Sequence, residues 1–577
     1  MDYSKLCEAL DEIQGTPKRL EKTRMIAELL KEAGEDLERT AILLQGRLFP
    51  SWDKRTLGVS SRTMLAALAR VTGHKTEKLE QEWSKTGDLG LIAEKHITKK
   101  RQATLFKDTL TVEHVYNQLR KLPTIEGKGT VDTKIKIIEE LFSKASPLEA
   151  RYITRTVLEE LRAGIAEGTI RDGIIYAFLA PDAGIEEGEI KEREAFNTVQ
   201  AAVQAAYDKT NDFAKVAIAA KRGIREINRV KTTIGKPLKV MLGQIGTNIA
   251  EAMKALGKPL LLQYKYDGFR VEVHKQGDRV QVFTRRLENV TKQFPDIVAR
   301  VKEHVKCEEC ILDGEAIGIN PKNKKYVPFQ NISQRIKRKY GLEEMTKKLP
   351  VDVRFFDIIM KDGEEMFGKT MQERHELLTK TVKEGELIGV AHTLITSSEE
   401  AGKNFYARAL EAGEEGIFAK KLDSVYQPGV RVGNWIKLKN TMEPLDLVVV
   451  GAEWGEGKRS GWLTSYTLAC KDEEGELVEI GKAGTGLKEL EEEGFSFKEM
   501  TDLLKPLVEY QEGKHVKVRP EIILEVAYEE IQKSPSYSSG YALRFPRIKR
   551  NRTDERSVDD VSTLDYVKKL YEHQRTQ

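Results

Sequence analysis

The sequence predicts a multidomain protein that combines an all-α region, an α+β region with antiparallel sheets and a C-terminal β-barrel. Three observations support this prediction: the length of 577 residues, a helical spacing of apolar residues in the first part, and short alternating runs in the remainder. A single hydrophobic core stops growing at about 250–300 residues, so a chain of this length divides into several domains. We expect the boundaries near residues 232 and 440.

The first region, residues 1–232, carries apolar residues at helical intervals. Ile153, Val157, Leu161 and Ile165 recur at steps of four residues, with charged residues between them. This spacing is typical of a helix with one buried face. A Gly-Lys-Pro sequence at 235–237 interrupts the pattern and is expected to lie in a linker.

The second region, residues 233–440, alternates apolar and polar residues. Phe269, Val271 and Val273 precede a Gln-Gly-Asp sequence at 276–278, and the alternation then resumes. Two alternating runs joined by such a turn predict a β-hairpin. The third region, residues 441–577, has short strand-like runs at regular spacing, which suits a five-stranded barrel of the oligonucleotide-binding (OB) type.

Composition narrows the class of protein. The chain has 95 Lys and Arg residues against 91 Asp and Glu residues, a net charge of +4, which argues against a histone-like or disordered basic protein. It leaves room for local positive surfaces that bind nucleic acid. Four cysteines are too few for a disulfide scaffold and indicate a reducing compartment. With no signal-like amino terminus and no apolar run of about 18 residues, we expect a cytoplasmic protein without a membrane span.

Six short motifs follow one another in the second region. They are Lys265-Tyr266-Asp267-Gly268, Thr284-Arg285-Arg286, Leu312-Asp313-Gly314-Glu315, Phe355-Phe356-Asp357, the run from Glu415 to Lys420, and the run from Trp435 to Lys439. A Lys-x-Asp-Gly tetrapeptide alone occurs often by chance. The fixed order of all six motifs is far more specific.

In this order the motifs resemble those of the covalent nucleotidyltransferases, and among them the ATP-dependent DNA ligases of the archaeal and eukaryotic replicative type. The resemblance extends over nearly all 577 residues. It implies a helical DNA-binding domain at 1–232, an α+β nucleotidyltransferase (adenylation) domain at 233–440 and an OB-fold domain at 441–577. It also implies an enzyme that seals nicks in duplex DNA during replication, repair and recombination.

The resemblance assigns the chemistry to Lys265. In the family, the catalytic lysine attacks the α-phosphate of ATP and carries AMP, which then passes to the 5′-phosphate of a nick. Glu315 and Glu415 match the carboxylates that support a metal ion, and hard oxygen ligands suit Mg²⁺, with Mn²⁺ as the alternative. Glu315 also matches a ribose contact. The cofactors implied are therefore ATP and a divalent metal.

Further residues match nucleotide contacts of the family. They are Gln263 at the adenine edge, Phe356 on the adenine face, Arg270 and Arg285 at the nucleotide and the 5′-phosphate, Lys420, Arg431 and Lys437 at the phosphates, and Lys439 at the nucleotide. Phe355 is an open alternative to Phe356 as the stacking ring. Lys437 and Lys439 are also candidate cationic neighbours of the reactive amine, because nearby cations favour the neutral form of a lysine.

The resemblance also indicates residues that contact DNA. Arg162, Gly164 and Gly168 lie in a segment similar to the family's DNA-binding domain. Glycines are costly inside a helix, so they suggest close approach of the backbone to a sugar–phosphate chain, with helix capping as the alternative.

Arg544 and Arg547 belong to a basic run expected to face phosphate. The last family motif departs from its pattern here, because the run that begins at Arg552 has Glu555 where the family has a cation; either Arg556 takes over this role or Arg552 carries more of it.

Gln102, Leu105 and Phe106 resemble the shortened sliding-clamp peptide of archaeal ligases, and burial in a core is the alternative. The expected partners are nicked double-stranded DNA and a sliding clamp, with a monomeric enzyme from a prokaryotic, archaeal source. Two other functions stay open from the sequence: an RNA ligase or capping guanylyltransferase, and a non-catalytic nick-binding scaffold.

Overall fold

The computed structural model describes residues 1–97, 109–327, 329–336, 338, 340–439, 442–455, 459 and 461–576. The chain forms two compact units. The first contains Met1–Gln244, Ala252–Ser397 and Ala419–Ile436, and the second contains Ile245–Glu251, Ser398–Phe418 and Lys437–Gln577.

The amino-terminal part of the first unit is helical and is built around one apolar core. Its helices are α1 (Tyr3–Gly15), α2 (Arg19–Glu32), α3 (Leu37–Leu43), α4 (Ser61–Thr72), α5 (Thr76–Thr86), α6 (Leu89–Ile97), α7 (Val112–Leu119), α8 (Thr130–Lys144), α9 (Pro147–Val157), α10 (Glu167–Phe178), α11 (Arg193–Thr210), α12 (Phe213–Lys221) and α13 (Ile224–Asn228). A short hairpin of β1 (Ile185–Glu186) and β2 (Glu189–Ile190) is also present.

The helix predicted from the apolar spacing at 153–165 is shorter than the spacing suggests. Helix α9 ends at Val157, and the backbone of Glu159, Arg162 and Gly164 has positive φ angles of 57°, 56° and 63°. A right-handed helix cannot continue through such residues. Leu161 and Ile165 still pack partly buried against the helical core, which explains why the four-residue spacing persists beyond the helix.

The middle region is α+β, as predicted. Its strands are β3 (Leu242–Ile245), β4 (Leu260–Lys265), β5 (Phe269–Gln276), β6 (Arg279–Thr284), β7 (Glu309–Ile319), β8 (Tyr326–Val327), β9 (Val351–Lys361), β10 (Glu364–Glu365), β11 (Ile388–Val390), β12 (Thr393–Thr396), β13 (Gly416–Lys421) and β14 (Arg431–Lys439). Its helices are α14 (Ile249–Leu256), α15 (Pro295–His304), α16 (Phe329–Ile336), α17 (Leu342–Lys348), α18 (Met371–Thr381) and α19 (Glu399–Glu411).

These strands form two sheets. The first has the order β10-β9-β7-β5-β6, with β11 on β9 and β8 on β7, and the second has the order β12-β4-β13-β14-β3. Strands β5 and β6 pair antiparallel from Val271 with Thr284 to Gln276 with Arg279, which is the predicted hairpin. The pairing of β7 with both β5 and β9 is also antiparallel.

The carboxyl-terminal region belongs to the second unit and is dominated by strands. They are β15 (Leu445–Trp454), β16 (Leu463–Lys471), β17 (Leu477–Ala483), β18 (Val508–Glu512), β19 (His515–Val518), β20 (Ile523–Ala527), β21 (Glu530–Lys533), β22 (Tyr541–Arg544) and β23 (Arg547–Asn551), with helices α20 (Phe497–Leu504) and α21 (Leu564–Thr576). The main sheet has the order β17-β16-β15-β19-β18, with β20 between β15 and β23. This strand-rich region agrees with the predicted fold class.

The structure also bears on membrane association. Among the helices of the described ranges, none combines the length and the apolar composition needed to cross a bilayer.

Candidate active site

Lys265 is the last residue of β4 and is partly exposed. Gly268, three residues later, shows why the tetrapeptide Lys265-Tyr266-Asp267-Gly268 ends in glycine. A β-carbon at Gly268 would collide with the carbonyl oxygen of Ala316 and would lie 2.9 Å from Cγ of Glu315. Only a glycine lets the chain after Lys265 pass this close to β7. The local geometry therefore brings the Lys-x-Asp-Gly segment against Glu315.

Arg270, Glu315 and Phe356 lie on three neighbouring strands of the first sheet. Arg270 on β5 is in register with Glu315 on β7, and Phe356 lies on β9, which also pairs with β7. The guanidinium carbon of Arg270 lies 5.1 Å from the centroid of the Phe356 ring. The sheet thus groups a cation, a carboxylate and an aromatic ring that belong to separate sequence motifs.

Arg270 is held in place by a buried carboxylate. Its Nε donates to Oδ1 of Asp313 at 2.7 Å, a second nitrogen donates to Oδ2, and its third nitrogen donates to the carbonyl oxygen of Met241 at 2.7 Å. Burial acts to lower the pKa of Arg270, and the Asp313 carboxylate outweighs this effect and raises it. Arg270 is therefore a fixed cation, and Asp313, which our sequence analysis did not assign to the site, is the residue that fixes it.

The two adjacent phenylalanines have different surroundings. Phe355 is fully buried within the apolar core of the middle region. Phe356 is only partly buried, and the centroid of its ring lies 5.1 Å from the guanidinium carbon of Arg270 and 5.0 Å from the amine of Lys420. A partly exposed ring can offer a face to a ligand, and a ring sealed in a core cannot.

Lys420 on β13 is the most deeply buried lysine of the predicted set, with 1% of its surface exposed. Its amine lies 3.9 Å from the centroid of the Trp435 ring. Burial lowers the pKa of Lys420 to about 7, while Asp357 acts in the opposite direction. Asp357 is itself paired with Arg374 at 2.7 Å, and both side chains are fully buried. A buried amine of this kind stabilises an anion strongly when one binds beside it.

Two further arginines add positive charge to the first unit. Arg285 follows β6 and is exposed, and Arg431 begins β14 and donates to the carbonyl oxygen of Gly243 at 3.2 Å. The pKa of Arg285 is lowered by partial burial and then by the charges of Arg270 and Arg431. Positive charges that lower the pKa of a neighbouring guanidinium in this way favour binding of an anion, which relieves the repulsion.

Gln263 on β4 is 1% exposed and lies two residues before Lys265, so both side chains are on the same face of the strand. Its Nε2 donates to the hydroxyl oxygen of Thr393 at 3.2 Å. Its Oε1 has no hydrogen-bond partner among the residues that the structure describes.

The second unit contains Glu415, Lys437 and Lys439. The amine of Lys439 pairs with the carboxylates of Glu415 at 3.0 Å and Glu529 at 3.2 Å. Burial acts to lower the pKa of Lys439, but these two carboxylates raise it overall. The amine of Lys437 lies 6.0 Å from the centroid of the Phe418 ring. Lys439 is thus a charged residue that neutralises Glu415.

The candidate metal-binding residues are two glutamates, and their carboxylates suit a metal ion that is bound mainly by the phosphates of a nucleotide and by water. Within the described ranges, no group of three or more His, Cys, Asp and Glu side chains is arranged to hold a metal. Mg²⁺ in nucleotide sites is usually bound by one or two carboxylates, several waters and the substrate phosphates. Glu315 carries oxygen atoms of this type, and so does Glu415 in the other unit. Each carboxylate by itself therefore fits a metal that brings its phosphate and water ligands with it.

The loop after α9 presents Arg162 and Gly164 in left-handed conformations, and Gly168 lies in the first turn of α10. The amine of Lys22 donates to the carbonyl oxygens of Ala163 at 2.9 Å and Gly164 at 3.1 Å. Lys22 therefore fixes the shape of this loop. No local motif marks Lys22 in the sequence, and it lies 141 residues away from Ala163 in the chain.

The carboxyl-terminal basic run is partly neutralised within its own unit. Arg544 pairs with Glu530 at 3.0 Å, and Glu555 pairs with both Arg550 at 2.9 Å and Arg552 at 3.0 Å. Arg547 at the start of β23 is exposed. The residue that departs from the family pattern, Glu555, thus holds two of the arginines of the run. The predicted clamp peptide, Gln102, Leu105 and Phe106, lies outside the described residues.

Three family models match the chain in succession. The model described as DNA ligase N terminus matches residues 2–175, that described as ATP dependent DNA ligase domain matches residues 240–439, and that described as ATP dependent DNA ligase C terminal region matches residues 459–555. The fold, the lysine-bearing strand and these matches define a nucleotide-dependent ligase.

Curated relatives match over the whole length. DNA ligase from Nanoarchaeum equitans is 44% identical over 581 residues, covering 100% of this chain and 99% of the relative. DNA ligase from Archaeoglobus fulgidus is 40% identical, covering 99% and 98%, and DNA ligase from Thermococcus fumicolans is 39% identical, covering 99% and 98%. The chain belongs to the ATP-dependent DNA ligase family, enzymes that seal nicks in DNA through an adenylated intermediate and generally require a divalent metal.

A solved structure supports the fold. The structure titled Pmar-Lig_PreS3 has a TM-score of 0.55 and 16% sequence identity, covering 95% of this chain and 99% of that chain. At this identity the likeness concerns the fold alone.

Proposed function

We propose that the chain joins the 3′-hydroxyl and 5′-phosphate ends of nicks in duplex DNA in replication, repair and recombination, with Lys265 as the carrier of AMP. The observation that carries this proposal is the close packing of the Lys265 tetrapeptide against Glu315 through Gly268. It supports a reactive lysine beside a carboxylate in a chain that belongs to the ATP-dependent DNA ligases.

The reaction consists of three in-line displacements at phosphorus. The neutral amine of Lys265 attacks the α-phosphate of ATP, pyrophosphate leaves, and the amine loses a proton as the P–N bond forms. The 5′-phosphate of the nick then displaces the lysine and takes the AMP through a pyrophosphate link. The 3′-hydroxyl attacks that 5′-phosphate and AMP leaves. Positioning and charge neutralisation supply most of the catalysis in such steps.

Adenine recognition is assigned to Phe356 and Gln263. The partly exposed ring of Phe356 supports stacking on the base, and the fully buried position of Phe355 argues for Phe356 in this role. The buried oxygen of Gln263 supports a hydrogen bond with the edge of the base. Glu315 is assigned to the ribose and, with Glu415, to Mg²⁺ or Mn²⁺. When bound, the metal neutralises charge on the phosphates.

Phosphate recognition is assigned to the cationic residues of the predicted set. Lys420 and Arg431 are buried or anchored cations that suit the triphosphate, and Arg285 suits the 5′-phosphate because neighbouring charges favour an anion there. The proposed phosphate-binding residues also include Lys437, Lys439 and Arg270. Since Arg270 is fully engaged by Asp313 and Met241, its contribution to a phosphate is a fixed charge.

DNA binding is assigned to Arg162, Gly164 and Gly168 and, in the carboxyl-terminal region, to Arg544 and Arg547. Contacts of this kind between backbone and phosphate carry little sequence information, which suits an enzyme that seals any nick.

A sliding clamp is proposed as the partner of the peptide at Gln102. The enzyme is proposed to be monomeric and cytoplasmic, with domains at 1–232, 233–440 and 441–577. The archaeal sources of the relatives support an archaeal context.

Mass spectrometry of the adduct tests the proposal. The protein is incubated with ATP and Mg²⁺, digested, and searched for a peptide that carries AMP. We expect AMP on Lys265, its loss in Lys265→Ala with retained binding to nicked DNA, and normal labelling in the control Lys292→Ala, which changes an exposed lysine. AMP on another residue would overturn the assignment. Sealing of nicked RNA in place of nicked DNA would redirect it to RNA ligation.

A further inference from the structure

Gln263 is buried on β4, and its side-chain amide has a defined environment. The two polar atoms of the amide differ in their hydrogen bonds. Nε2 donates to Thr393, whereas Oε1 has no hydrogen-bond partner among the described residues. An amide can rotate by 180° and exchange these two atoms, so the atom that a ligand meets depends on what holds the amide in place.

The hydrogen bonds of the Thr393 hydroxyl fix the orientation of the Gln263 amide. Strand β12 pairs with β4 so that Thr393 lies directly opposite Gln263. The Thr393 hydroxyl donates to the carbonyl oxygen of Ala391 at 2.7 Å. A hydroxyl has one proton to donate, so toward Gln263 it offers only lone pairs. The nitrogen of the Gln263 amide must therefore face Thr393, and the oxygen must face away from it.

The Ala391 carbonyl oxygen, which accepts the hydrogen bond of the Thr393 hydroxyl, is part of a segment fixed by backbone hydrogen bonds. The backbone N–H of Ala391 donates to the carbonyl oxygen of Phe355 at 2.8 Å, and the backbone N–H of Tyr264 donates to the carbonyl oxygen of His392 at 3.0 Å. These bonds tie residues 391–393 both to the strand that carries Phe356 and to the strand that carries Gln263. The direction of the Thr393 hydroxyl is thus set by the backbone.

We propose that Thr393 is a positioning residue for nucleotide specificity, which fixes the Gln263 amide so that its oxygen accepts a hydrogen bond from the 6-amino group of a purine. This inference rests on the proposed function and deepens it by naming the discriminating atom. Adenine carries an amino group at position 6, whereas hypoxanthine and guanine carry a carbonyl oxygen there. An amide oxygen held by Thr393 binds the amino group and repels the carbonyl oxygen.

Loss of the hydroxyl should change selectivity in one direction. In Thr393→Val the amide can rotate and present Nε2 to a carbonyl at position 6. We expect the preference for ATP over inosine triphosphate in formation of the lysyl-nucleotide to fall about tenfold, because sites built on a specific hydrogen bond discriminate more strongly than apolar ones. A purely structural role of Thr393 would lower the rates with both nucleotides by the same factor.

The experiment measures the rate of lysyl-nucleotide formation with ATP and with inosine triphosphate in the full-length protein. Thr393→Ser, which keeps the hydroxyl, should preserve the preference within about twofold. Gln263→Glu presents oxygen atoms in both orientations, so adding Thr393→Val to Gln263→Glu should leave the preference unchanged. An unchanged preference in Thr393→Val alone, or an equal loss with both nucleotides, would overturn the inference. Absence of any adduct with the unmodified protein would instead overturn the proposed function.

Discussion

Asp313 and Arg270 form a two-point ion pair inside the middle region, with the carboxylate fully buried and 14% of the arginine side chain exposed. The hydroxyl of Tyr426 also donates to Asp313, at 3.0 Å. These contacts join β5 and β7, the strands beside which the Lys265 segment packs. The pair therefore sets the geometry of the site as well as its charge.

Removal of the carboxylate should destabilise the protein strongly. In Asp313→Ala, the charge of Arg270 and the hydroxyl of Tyr426 lose a buried partner, and we expect a loss of about 3–5 kcal/mol in the free energy of unfolding. Guanidinium unfolding followed by tryptophan fluorescence measures it. The double variant Arg270→Met/Asp313→Leu removes both charges and should recover much of the loss. A single variant as stable as the unmodified protein would contradict a structural role for this pair.

The two adjacent phenylalanines should separate stability from nucleotide binding. Phe355→Ala creates a cavity in the core and should cost about 3–5 kcal/mol, with little change in the KM for ATP of the protein that remains folded. Phe356→Ala should raise the KM for ATP about tenfold or more, because stacking of a base on an aromatic ring contributes about 1–3 kcal/mol. The opposite pattern would show that Phe355 is the stacking ring. Denaturation curves and the kinetics of lysyl-AMP formation check both variants.

Much of the fold followed from local patterns in the sequence. The 269–284 hairpin and the strands of the third region were predictable because alternation and turn residues lie close together in the chain. Lys265, Glu315 and Phe356 were predictable as candidates because the order of their motifs is specific.

Contacts made through strand register were not predictable in the same way. The pairing of Arg270 with Asp313 and of Gln263 with Thr393 depends on which strands become neighbours, and no local signal encodes that choice. The helix predicted through 165 ends at Val157 because Glu159, two residues later, adopts a left-handed conformation, as do Arg162 and Gly164. A glycine permits such a conformation, but an arginine gives no sign of it in the sequence.

Lys420 should make the stability of the protein depend on pH. Its pKa falls from 10.5 in the unfolded chain to about 7 in the folded state. Between these values the unfolded chain binds a proton that the folded protein does not, so stability rises with pH from about 7 to about 10.5, and the cost of burying the charge is greatest below pH 7.

Lys420→Met removes this titration. We expect the variant to be more stable than the unmodified protein at pH 6, by an amount that shrinks toward pH 10, since each unit of pKa difference corresponds to about 1.4 kcal/mol. Under the proposed phosphate role it should also form lysyl-AMP much more slowly. Guanidinium unfolding at pH 6, 8 and 10 measures the first effect. A stability difference that does not vary with pH would show that Lys420 is not a buried titrating group.

Lys22 should control DNA binding without affecting the adenylation step. Lys22→Met keeps most of the length of the side chain but removes the two hydrogen bonds to the carbonyl oxygens of Ala163 and Gly164. The loop that carries Gly164 then loses its fixed shape, and we expect the affinity for nicked DNA to fall about tenfold, given about 1.5–3 kcal/mol for a hydrogen bond to a charged group. Fluorescence anisotropy with a labelled nicked duplex measures it. The matched control, Lys18→Met, changes a lysine one helical turn before Lys22 whose side chain is 74% exposed, and this variant should bind nicked DNA normally. If both variants bind equally well and both form lysyl-AMP at the normal rate, the loop after α9 does not contact DNA through a shape that Lys22 maintains.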